Sequence, residues 1–388
     1  MRREVLISSR CRSTALVPSI APYPQSVAKF GPLQKLIAPV IEPTVFDFWV
    51  GLINPAWSWA RPLARVIERR IEAQDTVSLV LQPNRHCGRI RPGQHVNVSA
   101  EVNGRRITRS YSITNVPGRH GRIEITVKRV EGGKLSTHIC RDLREGDVVE
   151  LGHVFGDMTM PARPEGKWLF LAAGSGITPL MSLTRMLAAQ NMPVDLTLIY
   201  WAKTRAELCF LLELRKLAAR QPGFKLQVVL THEAKTLSDE TSGLISEAQL
   251  TELVSDLSER QVYACGPGGF VDTARALTAG VARSFLAEGF TPSTPAVIDA
   301  DATTTVRVQL LKSGRALDVP SGKSLLIALQ EQGVNPAHAC GMGICNTCIC
   351  TKHSGTTQDI NTGTLDNETE TPVRICINRA CTDLSLDL

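Results

Sequence analysis

The cysteines near the C-terminus constrain this chain most. Cys340, Cys345 and Cys348 lie on one short loop, and a further cysteine, Cys376, follows closer to the C-terminus. A C-x4-C-x2-C loop with a distant fourth cysteine is typical of a 2Fe–2S cluster, whose iron atoms bind thiolates. The two glycines between the first two cysteines permit a tight turn that brings backbone amides towards the cluster. We therefore expect the rest of the chain to deliver electrons to this loop.

Two other kinds of metal site, a zinc site and a Rieske centre, use cysteine or histidine ligands and are alternatives to this cluster. Cys345-x2-Cys348 combined with Cys376-x4-Cys381 has the spacing of a zinc site, but that interpretation leaves Cys340 and the loop glycines without a role. A Rieske centre needs two histidine ligands in place of two cysteines. The nearby histidines at positions 338 and 353 do not belong to a repeated Cys-x-His pattern, which disfavours this centre.

Length and composition describe an ordinary globular protein of two or three domains. The chain has 388 residues, of which 43% are hydrophobic and 21% charged. Its eleven cysteines include a crowded cluster loop, which favours a reducing cytoplasmic compartment over disulfides. No window is long and apolar enough for a membrane span. The net charge of +6 is modest, and we expect no nucleic-acid partner.

The charge is unevenly distributed. Residues 299–388 carry 7 Lys/Arg and 10 Asp/Glu, so this segment is acidic whereas the rest of the chain is basic. An acidic module on a basic body suits charge-steered docking between redox partners, although a solvated surface would look similar.

Residues 1–60 form an N-terminal tail and an apolar extension that we expect to be mostly helical. Residues 1–24 are poor in acids and aperiodic, which fits a transit peptide, a disordered tail or an over-long translation start. Residues 30–60 are apolar and hold three of the chain's five tryptophans. Tryptophan suits membrane surfaces and protein interfaces, so this segment is either a docking helix for a partner or membrane, or a lid packed on the next domain.

Residues 61–163 predict an antiparallel β-barrel. Short alternating or β-branched runs are separated by turn signals, and they cover residues 77–82, 95–98, 122–128 and 148–151. Arg109-Ser110-Tyr111-Ser112 places a cation, an aromatic ring and two hydroxyls at the end of a strand, where they suit a phosphate and a flat heterocycle. Downstream, Gly132 to Thr137 is predicted to start a helix at Ser136, whose free amides form an anion site.

Residues 164–292 change to an α/β rhythm. The predicted order is a strand over 167–173, a helix over 180–189, a strand over 195–200, a helix over 205–220, and strands over 225–230 and 261–265. Such alternation predicts a parallel sheet with its ligand at the carboxyl ends of the strands. Gly174-x-Gly176 follows the first strand as a phosphate-cradling turn, and Gly266-Pro267 follows the last.

The last part of the chain begins with a linker over residues 293–302. Residues 303–388 then predict a hairpin (305–311 and 315–319), a helix over 324–332 and the cysteine loop. Cys350 and Cys381 are surplus and are expected to be packed, partly buried thiols. The fourth cluster ligand is Cys376, with Cys381 as the alternative.

The order of four motifs resembles the ferredoxin–NADP reductase superfamily. The motifs are Arg109-x-Tyr111-Ser112, the glycine–serine loop, Gly174-x-Gly176-x-x-Pro179 and Cys265-Gly266-Pro267. The hairpin–helix–cysteine-loop order resembles a plant-type ferredoxin, a β-grasp fold. Its closing segment, Cys376-Ile-Asn-Arg-Ala-Cys-Thr-Asp-Leu, implies Cys376 as the fourth ligand. The whole resembles fused flavin–iron–sulfur reductases that serve oxygenases and desaturases, and the N-terminal segment is most similar to partners of membrane-bound acyl-CoA or fatty-acid desaturases.

The resemblance implies roles for individual residues. Ser112, Thr178 and Cys265 are the expected catalytic residues, Ser112 near flavin N5 and the other two beside the nicotinamide. The expected cofactor-binding residues are Arg109, Ser110, Tyr111, Ser112, Gly132, Gly133, Lys134, Ser136, Thr137, Gly174, Gly176, Thr178, Pro179, Lys203, Arg205, Cys265, Gly266 and Pro267, and the metal ligands are Cys340, Cys345, Cys348 and Cys376.

The implied cofactors are FAD, with FMN as the alternative, and a 2Fe–2S cluster. Lys203 and Arg205 follow the second strand, where cations accommodate a 2′-phosphate, so NADPH is favoured over NADH. We expect electrons to pass from NADPH through FAD and the cluster to a membrane-bound fatty-acyl desaturase. A Rieske-type or other oxygenase is the alternative acceptor, and a redox-sensing protein without turnover is the alternative of another class. We expect a cytoplasmic protein, with peripheral membrane contact through residues 30–60.

Overall fold

The computed structural model describes residues 42–118, 120–233, 236–290 and 304–388. The N-terminal tail, part of the apolar segment and the linker over 293–302 lie outside these residues. A helix, α1 (Pro43–Ile53), precedes the first sheet and agrees with the helical extension predicted there. No helix of the described residues is long and apolar enough to cross a membrane.

The first sheet is antiparallel and closes into a barrel. Its strands are β1 (Leu63–Ala73), β2 (Thr76–Pro83), β3 (His95–Val102), β4 (Arg105–Ser112), β5 (Ile123–Lys128) and β6 (Val148–Phe155), in the order β4-β3-β6-β1-β2-β5. The two edge strands meet through a bridge between Ile113 and Ile125. Alternate residues fill the interior, and α2 (Lys134–Arg141) packs Leu135 and Ile139 against it. The predicted β-barrel is confirmed, with β1 as a strand that the sequence patterns did not reveal.

The second sheet is parallel and carries helices on its faces. It contains β7 (Lys167–Ala173), β8 (Asp195–Ala202), β9 (Phe224–Leu230), β10 (Glu240–Ser242), β11 (Arg260–Gly266) and β12 (Ser284–Gly289), in the order β10-β9-β8-β7-β11-β12. The helices are α3 (Ile177–Ala189), α4 (Leu211–Arg220), α5 (Glu247–Leu253) and α6 (Gly268–Thr278). The predicted parallel α/β sheet is confirmed.

One predicted helix of this domain is wrong in its extent. The expected helix over 205–220 is divided into a short 3-10 turn (Arg205–Glu207) and α4. Phe210 separates them with a left-handed backbone (φ 59), and its amide donates to the Glu72 carboxylate of β1 at 3.1 Å. A contact with the barrel therefore overrides the local helical pattern.

The third unit has the mixed sheet expected of a β-grasp. Its larger sheet orders β13 (Thr305–Leu310), β14 (Arg315–Pro320), β15 (Ile349–Ser354), β18 (Thr371–Arg374) and β20 (Leu384–Leu386) as β14-β13-β20-β15-β18, and β16 (Thr357–Asp359), β17 (Leu365–Asp366) and β19 (Asn378–Ala380) form a small sheet. Helix α7 (Leu325–Glu331) begins after Ser324, whose hydroxyl accepts from the Ile327 amide. The cysteine loop leads from α7 into β15.

The barrel and the parallel sheet meet tightly at Gly93. Its amide donates to the Ser182 hydroxyl of α3 at 2.7 Å. Its φ is +88°, and a Cβ there would lie 1.9 Å from the Met158 carbonyl oxygen. Only glycine fits this contact between the two domains.

We predict that Gly93→Ala lowers the free energy of unfolding by at least about 3 kcal/mol, since strain and overlap both act. Gly104→Ala is the matched control, because Gly104 also has a positive φ (+69°) but open space around its Cβ position. The control should lose only about 1 kcal/mol. Equal losses in thermal or chemical unfolding of the two variants would show that the close contact contributes nothing.

Candidate functional site

The predicted flavin-binding residues occupy the end of β4 (109–112). Arg109 is exposed, and its Nη1 donates to the Thr108 carbonyl at 2.7 Å. Tyr111 is half-buried, and burial raises the pKa of its phenol, which stays neutral. Ser112 is buried. Side chains alternate between the two faces of a strand, so a long cationic side chain and an aromatic ring lie on one face of β4 and two hydroxyls lie on the other.

The predicted phosphate loop lies at the start of α2. Gly132 has a left-handed backbone (φ 71), and the helix begins at Lys134, two residues before the predicted start at Ser136. The Ser136 hydroxyl donates to the Gly133 carbonyl at 3.3 Å, and the Thr137 amide donates to the same oxygen at 3.1 Å. The first amides of α2 remain available to an anion, as expected at a helix N-terminus.

The two predicted nicotinamide loops meet at the edge where the strand order reverses. Strands β7 and β11 are neighbours with opposite onward connections, so their carboxyl ends border the crevice that binds ligands in such sheets. A Cβ on Gly176 would lie 2.0 Å from the Cys265 carbonyl oxygen, and one on Gly266 would lie 2.9 Å from Ala173 Cβ. Gly174 has a φ of +54° and open space beside it. The glycines therefore pack the loops together and leave an open turn for a dinucleotide.

Two predicted catalytic residues lie at this edge. Thr178 is buried at the start of α3, next to Pro179, and its hydroxyl donates to the Ser175 carbonyl at 2.9 Å. Cys265 is fully buried, and its sulfur lies 3.2 Å from Met158 Sδ. Burial raises the pKa of the Cys265 thiol well above its ordinary value, so the thiol is neutral at pH 7. Both side chains can shape a pocket without adding charge.

The two cations predicted to bind a 2′-phosphate differ in their surroundings. Lys203 is exposed after β8. Arg205 forms ion pairs with Glu240 at 2.7 Å and with Glu233 at 3.5 Å. The structure therefore leaves Lys203 as the more accessible cation, and Arg205 is partly neutralised by carboxylates that the sequence pattern did not reveal.

The four predicted cluster cysteines come together. Cys340 contacts the sulfurs of Cys345 and Cys376, and Cys348 Sγ lies 3.1 Å from Cys376 Sγ. Three backbone amides of the loop point at its sulfur atoms, at 3.3 to 3.4 Å. The Cys345 and Cys376 thiols hydrogen-bond with the Cys340 sulfur, which lowers the pKa of Cys340 and raises the pKa of the other two thiols. This donor set fits a cluster held by thiolates with amide hydrogen bonds to sulfur.

The glycines of the loop have the conformation that a tight turn needs. Gly341 and Gly343 have φ values of 72° and 77°, and a Cβ on Gly343 would lie 2.4 Å from Ile377. Arg374 Nη1 donates to the Gly343 carbonyl at 2.7 Å and fixes the loop to β18.

The remaining two cysteines of this unit differ in position. Cys350 is buried in the hydrophobic core, as predicted for a packed thiol. Cys381 is half-buried, and its amide pairs with the Thr356 carbonyl at 2.9 Å.

A buried polar pair lies between the predicted catalytic residues and was missed in the sequence. His95 is paired with Ser112 across β3 and β4, and Glu288 is paired with Cys265 across β11 and β12. His95 Nε2 lies 3.2 Å from Glu288 Oε2, with side-chain exposures of 3% and 7%. Among the described residues, neither ring nitrogen nor this carboxylate oxygen has a hydrogen bond of suitable geometry. Phe155 stacks on the His95 ring with ring centroids 5.5 Å apart, so the pair is packed inside the junction between the two domains.

Family models match three successive stretches of the chain. Residues 64–159 match an oxidoreductase FAD-binding domain, residues 170–276 an oxidoreductase NAD-binding domain, and residues 308–382 a 2Fe-2S iron-sulfur cluster binding domain. The chain is 33% identical over 362 residues to an NADPH oxidoreductase of Mycobacterium tuberculosis, and the match covers 92% of each chain. The chain belongs to the ferredoxin–NADP reductase superfamily. It is a reductase with a fused C-terminal 2Fe–2S ferredoxin domain, as the resemblance implied.

Other proteins are similar to this chain over most of its length. The reductase is 29% identical to a glycine betaine monooxygenase reductase subunit of Chromohalobacter salexigens, over 72% of this chain and 82% of that protein. The solved structure of phthalate dioxygenase reductase covers 84% of this chain and 97% of its own, with 25% identity and a TM-score of 0.56. The reductase is therefore an NAD(P)H oxidoreductase whose cofactors are FAD and a 2Fe–2S cluster.

We predict that Cys376→Ala loses the cluster whereas Cys381→Ala retains it, because Cys376 Sγ lies beside Cys348 Sγ. Iron content and visible absorbance after anaerobic purification would measure this. Cys350→Ala controls for loss of a buried thiol in the same core. Full iron content in Cys376→Ala, with loss in Cys381→Ala, would reverse the ligand assignment.

Proposed function

We propose that this reductase carries electrons from NADPH, through FAD and the 2Fe–2S cluster, to a membrane-bound fatty-acyl desaturase. The observation that carries the membrane part of the proposal is the exposed apolar face of α1. Phe48, Trp49, Leu52 and Ile53 have exposed fractions of 62%, 63%, 68% and 76%. Soluble monomers rarely expose such a contiguous patch without an interaction partner.

The opposite side of α1 packs on the segment that leads into β1. Phe46 packs edge-on against Trp59 with ring centroids 5.1 Å apart, and Trp59 is buried. The Trp59 amide donates to Asp47 Oδ1 at 2.5 Å. The helix is thus held in place while it presents aromatic and aliphatic side chains outwards, which combines the two interpretations of this segment.

The surroundings of α1 suit an anionic lipid surface. Trp57 is 54% exposed and borders the same cleft as the exposed Arg85. Tryptophan and arginine favour the membrane–water interface, where the ring inserts among headgroups and the cation faces phosphate. A peripheral membrane contact at this face would bring the reductase to a membrane-bound acceptor.

The proposed roles within the chain follow the predicted site. Arg109, Ser110 and Tyr111 and the start of α2 hold FAD, Ser112 lies at the reacting end of the flavin, and Thr178 and Cys265 hold the nicotinamide. Bound FAD supplies the conversion of a hydride into single electrons. The proposed domain limits are 61–163 for the flavin domain, 164–292 for the nicotinamide domain and 303–388 for the ferredoxin domain.

The names of two similar proteins favour an oxygenase as the alternative electron acceptor. Glycine betaine monooxygenase and phthalate dioxygenase are named as the enzymes that such reductases serve. An oxygenase reached from solution would not need the apolar face of α1. A redox sensor without turnover is the remaining alternative, and sustained reduction of an acceptor by NADPH would exclude it.

The triple variant Phe48→Ser, Trp49→Ser, Leu52→Ser tests the proposal. We expect at least a tenfold loss of binding to anionic vesicles and of electron delivery to a desaturase in vesicles, because the inserted apolar area is removed. NADPH-driven reduction of ferricyanide should not change.

The matched control is Leu212→Ser, Leu244→Ser, which removes apolar side chains that are 74% and 75% exposed on other surfaces. Unchanged vesicle binding in the triple variant would refute the membrane contact and favour the oxygenase. Absence of ferricyanide reduction in the unmodified protein would refute the whole proposed function.

The preference for NADPH makes a separate prediction. Lys203→Ala should raise the KM for NADPH about tenfold, the effect expected of one charge-assisted hydrogen bond, and leave the KM for NADH unchanged. Lys225→Ala is the control, because Lys225 is an exposed cation at the opposite end of the same sheet. Equal changes for both coenzymes would show that Lys203 does not contact a 2′-phosphate.

A further inference from the structure

The outer face of β3 contains a buried asparagine that connects the flavin domain to the cluster loop. Asn97 is 6% exposed although its neighbours Val96 and Val98 point into the barrel core, so its own side chain points outwards. Asn97 Nδ2 donates to Thr347 Oγ1 at 3.2 Å. An outward-facing amide is therefore desolvated by the ferredoxin domain and satisfied by it.

The other end of the amide reaches the predicted flavin site. Ser110 Oγ donates to Asn97 Oδ1 at 2.6 Å. Ser110 lies in β4 between Arg109 and Tyr111, which are two of the predicted flavin-binding residues. One side chain thus accepts a hydrogen bond from the flavin-binding strand and donates one to the cluster loop.

Thr347, which accepts the hydrogen bond from Asn97, lies next to a ligand of the cluster. It lies between Asn346, whose backbone is left-handed (φ 55), and the ligand Cys348. Its hydroxyl also hydrogen-bonds with the Cys345 sulfur. A displacement of Thr347 would therefore displace the cluster ligands with it.

The barrel makes room for this asparagine with an irregularity. The pairing of β3 with β6 shifts register between Val96 and Val98, opposite Asn97. Gly152 lies at that shift, and a Cβ there would be 2.8 Å from Asn97 Cβ. β-Bulges commonly redirect side chains beside functional sites.

We propose that the Ser110–Asn97–Thr347 bridge is a latch that holds the cluster loop against the flavin domain, with Asn97 as the positioning residue for electron transfer between the two cofactors. This inference rests on the proposed electron relay. Neither Asn97 nor Thr347 binds metal or flavin in that relay; the bridge fixes the distance and orientation of the groups that do. A bond of 3.2 Å between two neutral groups is modest in strength, so the latch can open when the cluster must reach an external acceptor.

The test compares two ways of breaking the same bond. Asn97→Ala removes the amide and leaves Thr347 beside the cluster ligands. Thr347→Val removes the hydroxyl at nearly constant volume without changing Ser110 or Asn97, although it also removes the hydrogen bond to the Cys345 sulfur. Thr347→Ser keeps the hydroxyl and should restore the unmodified behaviour. Ser99→Ala is the control within the barrel, because Ser99 and Thr108 form a 2.7 Å hydrogen bond across the same two strands.

Anaerobic stopped-flow mixing of the holoprotein with NADPH separates bleaching of the flavin from bleaching of the cluster. We expect the cluster phase to slow at least tenfold in Asn97→Ala and Thr347→Val, with the flavin phase changed less than twofold. The double variant should be no slower than the slower single variant, since both substitutions break the same hydrogen bond between Asn97 and Thr347. Ser99→Ala should match the unmodified protein in both phases.

Two further measurements distinguish a change in the position of the cluster loop from a change in the potential of the cluster. Hydrogen–deuterium exchange of residues 340–348 in the oxidised protein should rise in both latch variants and not in Thr347→Ser. The cluster potential in Asn97→Ala should equal that of the unmodified protein, because Asn97 contacts no ligand cysteine.

An unchanged cluster phase in both latch variants would overturn the proposal, and so would a slowing that a shifted cluster potential accounts for. If the unmodified protein reduces its flavin but never its cluster, the proposed relay itself fails. The two failures are therefore distinguishable in one set of measurements.

Discussion

The outer face of β3 makes polar contacts with both of the other domains. Alternation along this strand places Val96 and Val98 in the barrel core and turns His95 and Asn97 outwards. Both outward residues are nevertheless buried, the first beside Glu288 of the nicotinamide domain and the second beside Thr347 of the cluster loop. Buried polar groups are costly unless they are paired, so the hydrogen bond between Asn97 and Thr347 favours one register between the flavin domain and the cluster loop. A purely apolar strand would bind its neighbours without fixing their positions.

A second constraint acts at the carboxyl edge of the parallel sheet, where steric fit replaces hydrogen bonding. Gly176 and Gly266 bring two loops into contact because any side chain there would overlap with the Cys265 carbonyl or with Ala173. The same strand order places β12 beside β11, which brings Glu288 into register with Cys265. The reversal of strand order therefore creates the crevice and also carries an acidic side chain into the junction with β3.

Much of this arrangement could be predicted from local sequence, and the remainder depends on contacts between distant segments. The cysteine loop and the glycine turns were recognisable because their spacing reflects chemistry within a few residues. The helix over 205–220 was wrong because Glu72, more than a hundred residues away, captures the amide of Phe210. Asn97 was not identified, since an outward polar residue of a strand normally faces water. Only the tertiary structure shows that another domain covers this position.

The buried pair at the junction shows how polar groups are tolerated there. Burial lowers the pKa of His95 to about 4 and raises the pKa of Glu288 to about 8, where the nearby charge of Asp157 also contributes. Both side chains are therefore neutral at pH 7, and the junction closes without desolvating an ion pair, which would cost several kcal/mol per ion. The folded state keeps a proton on Glu288 that the unfolded chain loses above its ordinary pKa of 4.5. The contribution of this group to stability consequently declines as the pH rises from about 4.5 to about 8, and above that range the junction contains a buried carboxylate. Both neutral side chains therefore keep this contact between the flavin and nicotinamide domains free of buried charge at pH 7.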